Sequence, residues 1–282
     1  MEKFAVLMNE FEEKKIPAAE TLGNLEKLFI IHPKFTPSDV DLTNMFNQLG
    51  KILQQKETKA ISRAISLMKY FTKDKKYHLM IFKTDILKNI APHLHSTNNP
   101  IIHSTLDNFI NIATTIDGAK AIIDSKVLKY MLKVFEIQDE HLSYKSLQLL
   151  SKFSDFGEET IKEIFKQDKN LFFFMVNHLD ADYRPSRIPA FNSVVNTLAH
   201  ANEELTHGMI DMGCVSHLCN FFYEYSGNRA MDTFKALKNT LEKSGSRAKE
   251  VANSMKGCGG IDYLMEMNTE ESQELIYKFF DY

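Results

Sequence analysis

The sequence predicts an all-α fold, a right-handed α-solenoid in which a similar group of helices recurs along the chain. Three observations support this prediction. The 282 residues include only 11 glycines and 7 prolines, which disfavours turn-rich β architectures. Apolar residues at helical spacing fill long stretches, and short breaks rich in glycine, asparagine and proline separate them. One helical pattern also returns every 40 to 45 residues.

The recurring pattern is centred on one position in each of six predicted helices. We call these positions the anchor column: Lys27, Lys69, Asn111, Ser151, Asn196 and Asn239. The residues two before and two after every anchor are apolar, and the residue five before is apolar in all but one helix. These offsets form the i, i+3, i+7 stripe of an amphipathic helix. We therefore expect the same helix, with the same buried face, to occur six times.

A period of this length, with helices throughout, is typical of armadillo and HEAT repeats, whose units bury their apolar faces by stacking. A short helix and a longer one precede the anchor helix, and three helices per unit favour armadillo over two-helix HEAT repeats. We expect one solenoid over residues 1–282, with about six repeats, a C-terminal capping helix and no separate second domain. In that cap, at least one of Phe279 and Phe280 should be buried.

The composition excludes several classes of protein. The formal net charge is −3, so the basic excess of a duplex-binding protein is missing and nucleic acid is a disfavoured partner. Three cysteines are too few for a disulfide framework in a chain of this length. The longest dense apolar run, residues 171–176, is far shorter than the roughly 20 residues that span a bilayer. We expect a cytoplasmic protein without membrane insertion.

The C-terminal part of the sequence resembles a known family. The phrase ALKNTLEKSG at 236–245, followed by MKGCGGIDYL at 255–264, resembles the last two armadillo repeats of importin-α nuclear transport adaptors. ELIYKFF at 274–280 is similar to that family's final helix. The resemblance implies a protein partner in transport and adds the nucleus as a location. The sequence departs from the family pattern because it has no tryptophan and no basic N-terminal segment.

Candidate binding residues lie on the repeated helix, because its exposed positions line the concave groove of a stacked array. Three of the six anchors are asparagines, and an asparagine amide can pair with both the N–H and the C=O of an extended peptide. The column four residues earlier, where the resembled family carries tryptophan, adds two polar residues. The predicted peptide-binding set is Asn111, Asn196, Asn239, Asp107, Ser151 and Asn192. An alternative is that the asparagines satisfy local backbone groups or cap helices.

The sequence predicts no catalytic residue, no cofactor and no metal site. Cys214, His217 and Cys219 lie within six residues, but the two cysteines do not share a helix face, so core packing explains them better than a metal. The glycines of 257–260 lack the Gly-Lys-Ser/Thr of a phosphate-binding loop.

Two functional hypotheses follow. The leading one is a non-enzymatic adaptor that binds an extended peptide or a helical partner in the concave groove, and the resemblance extends it to an importin-α-like transport adaptor. The alternative is a structural scaffold subunit that uses outer or terminal surfaces to hold a larger assembly together. The oligomeric state is left open by both.

Overall fold

The computed structural model describes residues 2–13, 16–224 and 227–280, and within these ranges the secondary structure is helical without a strand. The chain divides into two compact units, Met1–Gln138 (unit 1) and Asp139–Tyr282 (unit 2). The all-α prediction is confirmed, whereas a single array without a second domain stays a prediction. Among the helices described, none is long and apolar enough to cross a membrane.

Unit 1 has nine α-helices in its described residues. They are α1 (Glu2–Glu12), α2 (Ala18–Ile31), α3 (Asp39–Leu53), α4 (Thr58–Thr72), α5 (His78–Phe82), α6 (Ile86–Ile90), α7 (Asn99–Ile112), α8 (Ile116–Asp124) and α9 (Leu128–Glu136). Short 3-10 turns cover Lys75–Tyr77 and Ala91–His95. The helices α2, α4 and α7 carry the first three anchors, and each packs against the next.

The stripe predicted around the first three anchors forms the core of unit 1. Its members are all at most 1% exposed: Leu22, Leu25, Phe29, Ala64, Leu67, Phe71, Leu106, Phe109 and Ala113. The ring of Phe71 lies edge-on to Phe29, Phe46 and Tyr77, with centroid distances of 5.0, 5.4 and 5.2 Å. Because edge-to-face pairs add to the energy of burial, Phe71 joins α2, α3 and α4 into one apolar cluster.

A buried amide also ties α4 to α7. Asn108 is fully buried, and its Nδ2 donates to the carbonyl oxygens of Ile65 (3.0 Å) and Ser104 (2.9 Å). Its Oδ1 accepts a hydrogen bond of 2.9 Å from the hydroxyl of Thr72. A buried amide is tolerated because both of its ends are satisfied, so these bonds fix the register of the two helices.

Unit 2 has ten α-helices in its described residues. They are α10 (Glu140–Ser154), α11 (Glu158–Gln167), α12 (Asn170–Asn177), α13 (Arg184–His200), α14 (Glu203–Asp211), α15 (Cys214–Glu224), α16 (Asn228–Lys243), α17 (Ala248–Gly257), α18 (Gly260–Met267) and α19 (Glu270–Phe279). Short 3-10 turns cover His178–Asp180 and Gly245–Arg247. The helices α10, α13 and α16 carry the last three anchors and again pack in sequence.

The stripe of unit 2 is buried in the same way. Its members are at most 2% exposed: Ser146, Leu149, Phe153, Phe191, Val194, Leu198, Phe234, Leu237 and Leu241. The one polar member, Ser146, has no hydrogen-bond partner for its hydroxyl among the described residues. The six predicted anchor helices are therefore all present, each with the predicted buried face.

The predicted arrangement of three helices per repeat is found in α5–α7 of unit 1 and in α11–α13, α14–α16 and α17–α19 of unit 2. In unit 2, Gly213 and Gly259 adopt φ of 80° and 76° and separate the first helix of a group from the second, a conformation that favours glycine. Residues 39–53 contain no such position. Hence α3 is one continuous helix before α4, and the two-helix arrangement there differs from the prediction.

The last helix, α19, packs on α17 and α18. Leu275 and Phe280 are each 3% exposed, which confirms that at least one of the two C-terminal phenylalanines is buried. Phe279 is half-buried. Met265, which belongs to the same apolar segment in the sequence, is instead exposed.

Replacing Asn108 by alanine should destabilise unit 1. The substitution removes two buried hydrogen bonds between α4 and α7 and one within α7, each worth about 0.5–1.5 kcal/mol, so we expect a loss of about 2–3 kcal/mol. Urea unfolding of the full chain, followed by far-UV circular dichroism, measures the loss. The matched control is Asn253→Ala on the exposed face of α17, which should change stability by at most about 0.5 kcal/mol. Equal effects of the two variants would contradict the role given to Asn108.

Replacing Phe280 by alanine should loosen the end of unit 2. Large-to-small substitutions of a buried phenylalanine cost about 3–5 kcal/mol, and a position at a helix end belongs at the lower limit. Tyr277→Ala on α19 is the control, because that side chain is 92% exposed and should contribute about 0.5 kcal/mol or less. Differential scanning calorimetry should show a lower unfolding temperature only for Phe280→Ala. If both variants unfold at the same temperature as the unaltered chain, α19 does not close the core of unit 2.

Candidate peptide-binding groove

In unit 1, the predicted site residues are used by the protein itself. Asp107 forms an ion pair with Lys69, with Oδ2 and Nζ 2.5 Å apart. The side-chain amide of Asn111 donates a hydrogen bond of 3.2 Å to the hydroxyl of Thr72. Each contact joins α7 to α4. One N–H of the Asn111 amide is therefore used internally, and its partner is a side chain on the neighbouring helix.

The gap between α2 and α4 is also closed by internal pairs. It holds a cavity of about 490 Å³ lined by Glu26, Lys69, Asp74 and Lys76, among others. Glu26 accepts from Arg63 and from the hydroxyl of Ser66, and Lys76 pairs with Asp74 at 3.1 Å. A ligand there would have to displace existing ion pairs, so this cavity is a poor candidate for peptide binding.

In unit 2, by contrast, an open cavity of about 420 Å³ lies between α10 and α13. We call it the α10–α13 groove, and its lining residues are Tyr144, Gln148, Ser151, Lys152, Asp155, Pro185, Ile188, Pro189 and Asn192. Two of the six predicted site residues, Ser151 and Asn192, thus face one cavity. The anchor-helix geometry brings them together because α10 and α13 pack side by side.

Two polar side chains of the groove have no partner among the described residues. Asn192 is exposed and Ser151 is 8% exposed, and none of the described residues hydrogen-bonds to either side chain. The groove also lies beside a proline inside α13, Pro189. Since proline has no N–H, the carbonyl of Pro185 one turn earlier loses its normal helical donor. The groove therefore offers both donors and acceptors to a backbone.

Aromatic rings stand at one end of the groove. Tyr144 on α10 lies edge-on to Tyr183, with centroids 6.5 Å apart, and its hydroxyl accepts from Gln148 at 2.7 Å. The hydroxyl of Tyr183 is 3.1 Å from Nδ1 of His141. The rings are held by these contacts, so Tyr144 presents a fixed surface on which an apolar or cationic side chain can pack.

Asn196 lies one turn beyond Asn192 on α13. Its amide donates to Oδ1 of Asp155 at 2.5 Å, which connects it to the lining of the groove. Partial burial raises the pKa of Asp155, although nearby Lys152 and the hydrogen bond from Asn196 oppose this shift. Asn196 therefore contacts the lining residue Asp155 at the end of the groove and does not itself line the cavity.

Asn239 lies apart from this cavity. It sits on α16, is half-buried, and its amide makes no hydrogen bond to a described residue. On the same helix, Lys243 donates to the carbonyl oxygens of Leu198 and Ala199 at the end of α13. The polar face of α16 is thus only partly available to a ligand.

Sequence reasoning missed Tyr144, Gln148 and Ile188. Tyr144 and Gln148 lie seven and three residues before the anchor Ser151, so both belong to the same exposed face of α10. The two prolines four residues apart, Pro185 and Pro189, were a further signal, because proline inside a helix exposes a carbonyl. A search restricted to asparagine could not find these residues.

The cysteines near His217 behave as core residues. Cys214 and Cys219 are fully buried, and Nδ1 of His217 contacts Oδ2 of Asp180 at 2.6 Å. Within the described ranges, no three histidine, cysteine or acidic residues are grouped to hold a metal ion. Packing is therefore the interpretation that the geometry supports for Cys214 and Cys219.

Comparison with known proteins shows the fold. No protein-family model matches the sequence, and no curated protein matches it either. Solved structures do match: a designed armadillo repeat protein has a TM-score of 0.66 at 15% identity, with 81% of this chain and 95% of that chain covered. Computationally designed armadillo repeat proteins for modular peptide recognition match at TM-score 0.69 and 15% identity, with the same coverage.

A third structure is a designed armadillo repeat protein in complex with the peptide (KR)4. It matches at TM-score 0.65 and 13% identity, with 84% of this chain and 98% of that chain covered. At such low identity, these matches establish the arrangement of helices alone. The predicted fold class is confirmed: this chain has the armadillo-repeat solenoid fold.

Proposed function

We propose that the protein is a peptide-binding repeat scaffold and that the α10–α13 groove is its binding site. An extended segment of a partner protein lies along the groove, with its backbone paired to side chains of the anchor helices. One observation carries the proposal. Ser151 and Asn192, chosen from the repeat pattern, line the same open cavity and have no partner for their side chains among the described residues.

The polar groups suit a peptide backbone. The Asn192 amide supplies a donor and an acceptor, and the Ser151 hydroxyl supplies one of each. The Pro185 carbonyl adds an acceptor. Tyr144 and Ile188 provide apolar surface for one side chain of the peptide, while Lys152 and Asp155 contribute opposite charges. This lining favours a peptide with a large apolar or aromatic residue, held mainly through its backbone.

The designed armadillo proteins with the same fold support this proposal. One was made for modular peptide recognition and another holds (KR)4. The narrower hypothesis of an importin-α-like transport adaptor in the cytoplasm and nucleus rests on the sequence resemblance of residues 236–245, 255–264 and 274–280. It predicts a basic ligand, so (KR)4 is a suitable second probe.

A structural scaffold is the alternative, and exposed apolar residues at the beginning of unit 1 favour it. Ile30 and Ile31 are 67% and 65% exposed. Ile31 also lines a cavity of about 660 Å³ with Phe4, Leu28 and Phe35. Exposed apolar surface of this kind is typical of protein docking, so an assembly could use α1 and α2 instead of the groove.

Selection of random linear peptides on the full chain tests the proposal. The best peptides and (KR)4 are then measured by fluorescence anisotropy. We expect Asn192→Ala to weaken binding of the selected peptides about five- to tenfold, the loss of one or two hydrogen bonds. The unfolding midpoint should stay the same, because the side chain has no internal partner. Ile188→Glu should weaken the same peptides by placing a charge on the apolar part of the groove.

Two control variants separate the hypotheses. Asn253→Ala, on the exposed face of α17, should leave the affinity unchanged. If the selected peptides bind Asn192→Ala and Ile188→Glu with the same affinity as the unaltered chain, the proposal that they bind in the α10–α13 groove is wrong. Loss of binding in Ile31→Glu alone would place the interaction on the surface of α1 and α2 and support the scaffold alternative.

A further inference from the structure

A pocket with an apolar interior and a basic rim lies between α1 and the end of α2. We call it the α1–α2 pocket. Its volume is about 660 Å³, within the range of roughly 300–1,000 Å³ that is typical of ligand sites. Its apolar lining comes from Phe4 on α1, from Leu28 and Ile31 on α2, and from Pro33 and Phe35 in the segment after α2. All of these residues belong to unit 1, so the pocket shares no residue with the α10–α13 groove.

The interior of the pocket is held in place by aromatic contacts. The ring centroid of Phe35 lies 5.6 Å from that of Phe4 and 5.9 Å from that of Phe29. The hydroxyl of Tyr70 on α4 donates a hydrogen bond of 3.2 Å to the carbonyl oxygen of Pro33, which ties the wall of the pocket to α4. Because these contacts exist without a ligand, binding requires little further ordering of the pocket.

The apolar wall at the end of α2 is only partly covered. Leu28 is 6% exposed, whereas Ile31, about one turn later, is 65% exposed. Removing apolar surface from water is favourable in proportion to its area. A large apolar side chain in the pocket would therefore be bound through contact with Ile31 and with the ring of Phe35.

The rim of the pocket is basic. Lys3, His32 and Lys34 line it and are exposed, and none of them makes an ion pair or a side-chain hydrogen bond with a described residue. Among the described residues, no aspartate or glutamate lines the pocket. The whole chain has a formal net charge of −3, so the charge of this rim is opposite in sign to that of the protein.

The neighbouring surface has the same character. Pro33 also lines the cavity between α2 and α4, where the two lining carboxylates, Glu26 and Asp74, are each paired with a basic side chain. Lys73 in that cavity is exposed and has no partner among the described residues. A carboxylate that approaches the pocket therefore meets unpaired cations on both sides of Pro33.

We propose that the α1–α2 pocket binds a partner protein through an acidic segment that carries one large apolar residue. The apolar side chain enters the pocket between Phe4, Ile31 and Phe35, and the flanking carboxylates pair with Lys3 and Lys34. Charge complementarity decides the chemistry of the partner, because the rim has cations without counter-charges. A membrane fits this pocket less well, since recruitment to anionic lipid uses clusters of about 4–8 lysines or arginines.

Selection of random peptides on the full chain carrying Asn192→Ala and Ile188→Glu tests the pocket independently of the groove. These two changes disable the α10–α13 groove, so the result does not depend on the proposed function. We expect the selected peptides to carry a large apolar residue beside aspartate or glutamate. Their binding, measured by fluorescence anisotropy, should weaken as the salt concentration rises.

Three further variants of this chain locate the binding. Lys34→Glu should weaken the selected peptides about tenfold and reduce the salt dependence, because it reverses a charge on the rim. Ile31→Ser should weaken them about fivefold by removing apolar contact. Both side chains are exposed, so the unfolding temperature should stay the same. Lys256→Glu makes the same change of charge at an exposed position of α17 and should leave the affinity unchanged.

The proposal is overturned if no peptide is selected, if the selected peptides lack acidic residues, or if Lys34→Glu and Ile31→Ser leave their affinity unchanged. Two other occupants would also overturn it. Phosphatidylserine vesicles that bind the unaltered chain but not Lys34→Glu would show that the pocket contacts a membrane. Self-association in analytical ultracentrifugation that Ile31→Ser abolishes would show that the pocket holds a second copy of the chain.

Discussion

Burial of one apolar stripe on a repeated helix is the constraint on which the structure depends. In both units the anchor helices pack side by side, with Phe71 and Phe109 in unit 1 and Phe153 and Phe191 in unit 2 among the most buried side chains. Each such phenylalanine contributes about 1.5–3 kcal/mol by leaving water. Because this stripe must face inward, the rotation of each anchor helix is fixed. The polar residues on the opposite side are then presented together, which is how a folding constraint becomes a binding surface.

The two units use their polar faces differently. In unit 1, Lys69 pairs with Asp107 and Thr72 with Asn108, so neighbouring anchor helices are bonded to each other. In unit 2, the side chain of Asn192 extends into the α10–α13 groove without such a partner. A satisfied polar pair adds stability but gives a ligand nothing to bind, whereas an unsatisfied group near solvent costs little and remains available. This difference is the physical reason for placing the binding site in unit 2.

The anchor helices could be predicted from the sequence, because the spacing of apolar residues indicates directly which face of a helix is buried. The contacts between helices could not be predicted. Asn111 meets Thr72, and Asn196 meets Asp155, across about 40 residues of chain, and a periodic pattern contains no information on the stagger of adjacent helices. The groove was found only in part for the same reason: Ser151 and Asn192 follow from the repeat, whereas Tyr144 depends on how α10 and α13 pack. The continuous α3 was missed because three helices were assumed in every repeat.

Hydrogen exchange followed by mass spectrometry tests the central claim most directly. If the apolar stripe on the anchor helices is the main source of stability, the backbone hydrogen bonds of these helices open less often than those of the other helices. Peptides from α4 and α7 in unit 1, and from α10 and α13 in unit 2, should then be the slowest to exchange. Peptides from α11 and α14, which bury fewer large side chains, should exchange faster. Anchor helices that exchange as fast as α11 and α14 would contradict the account.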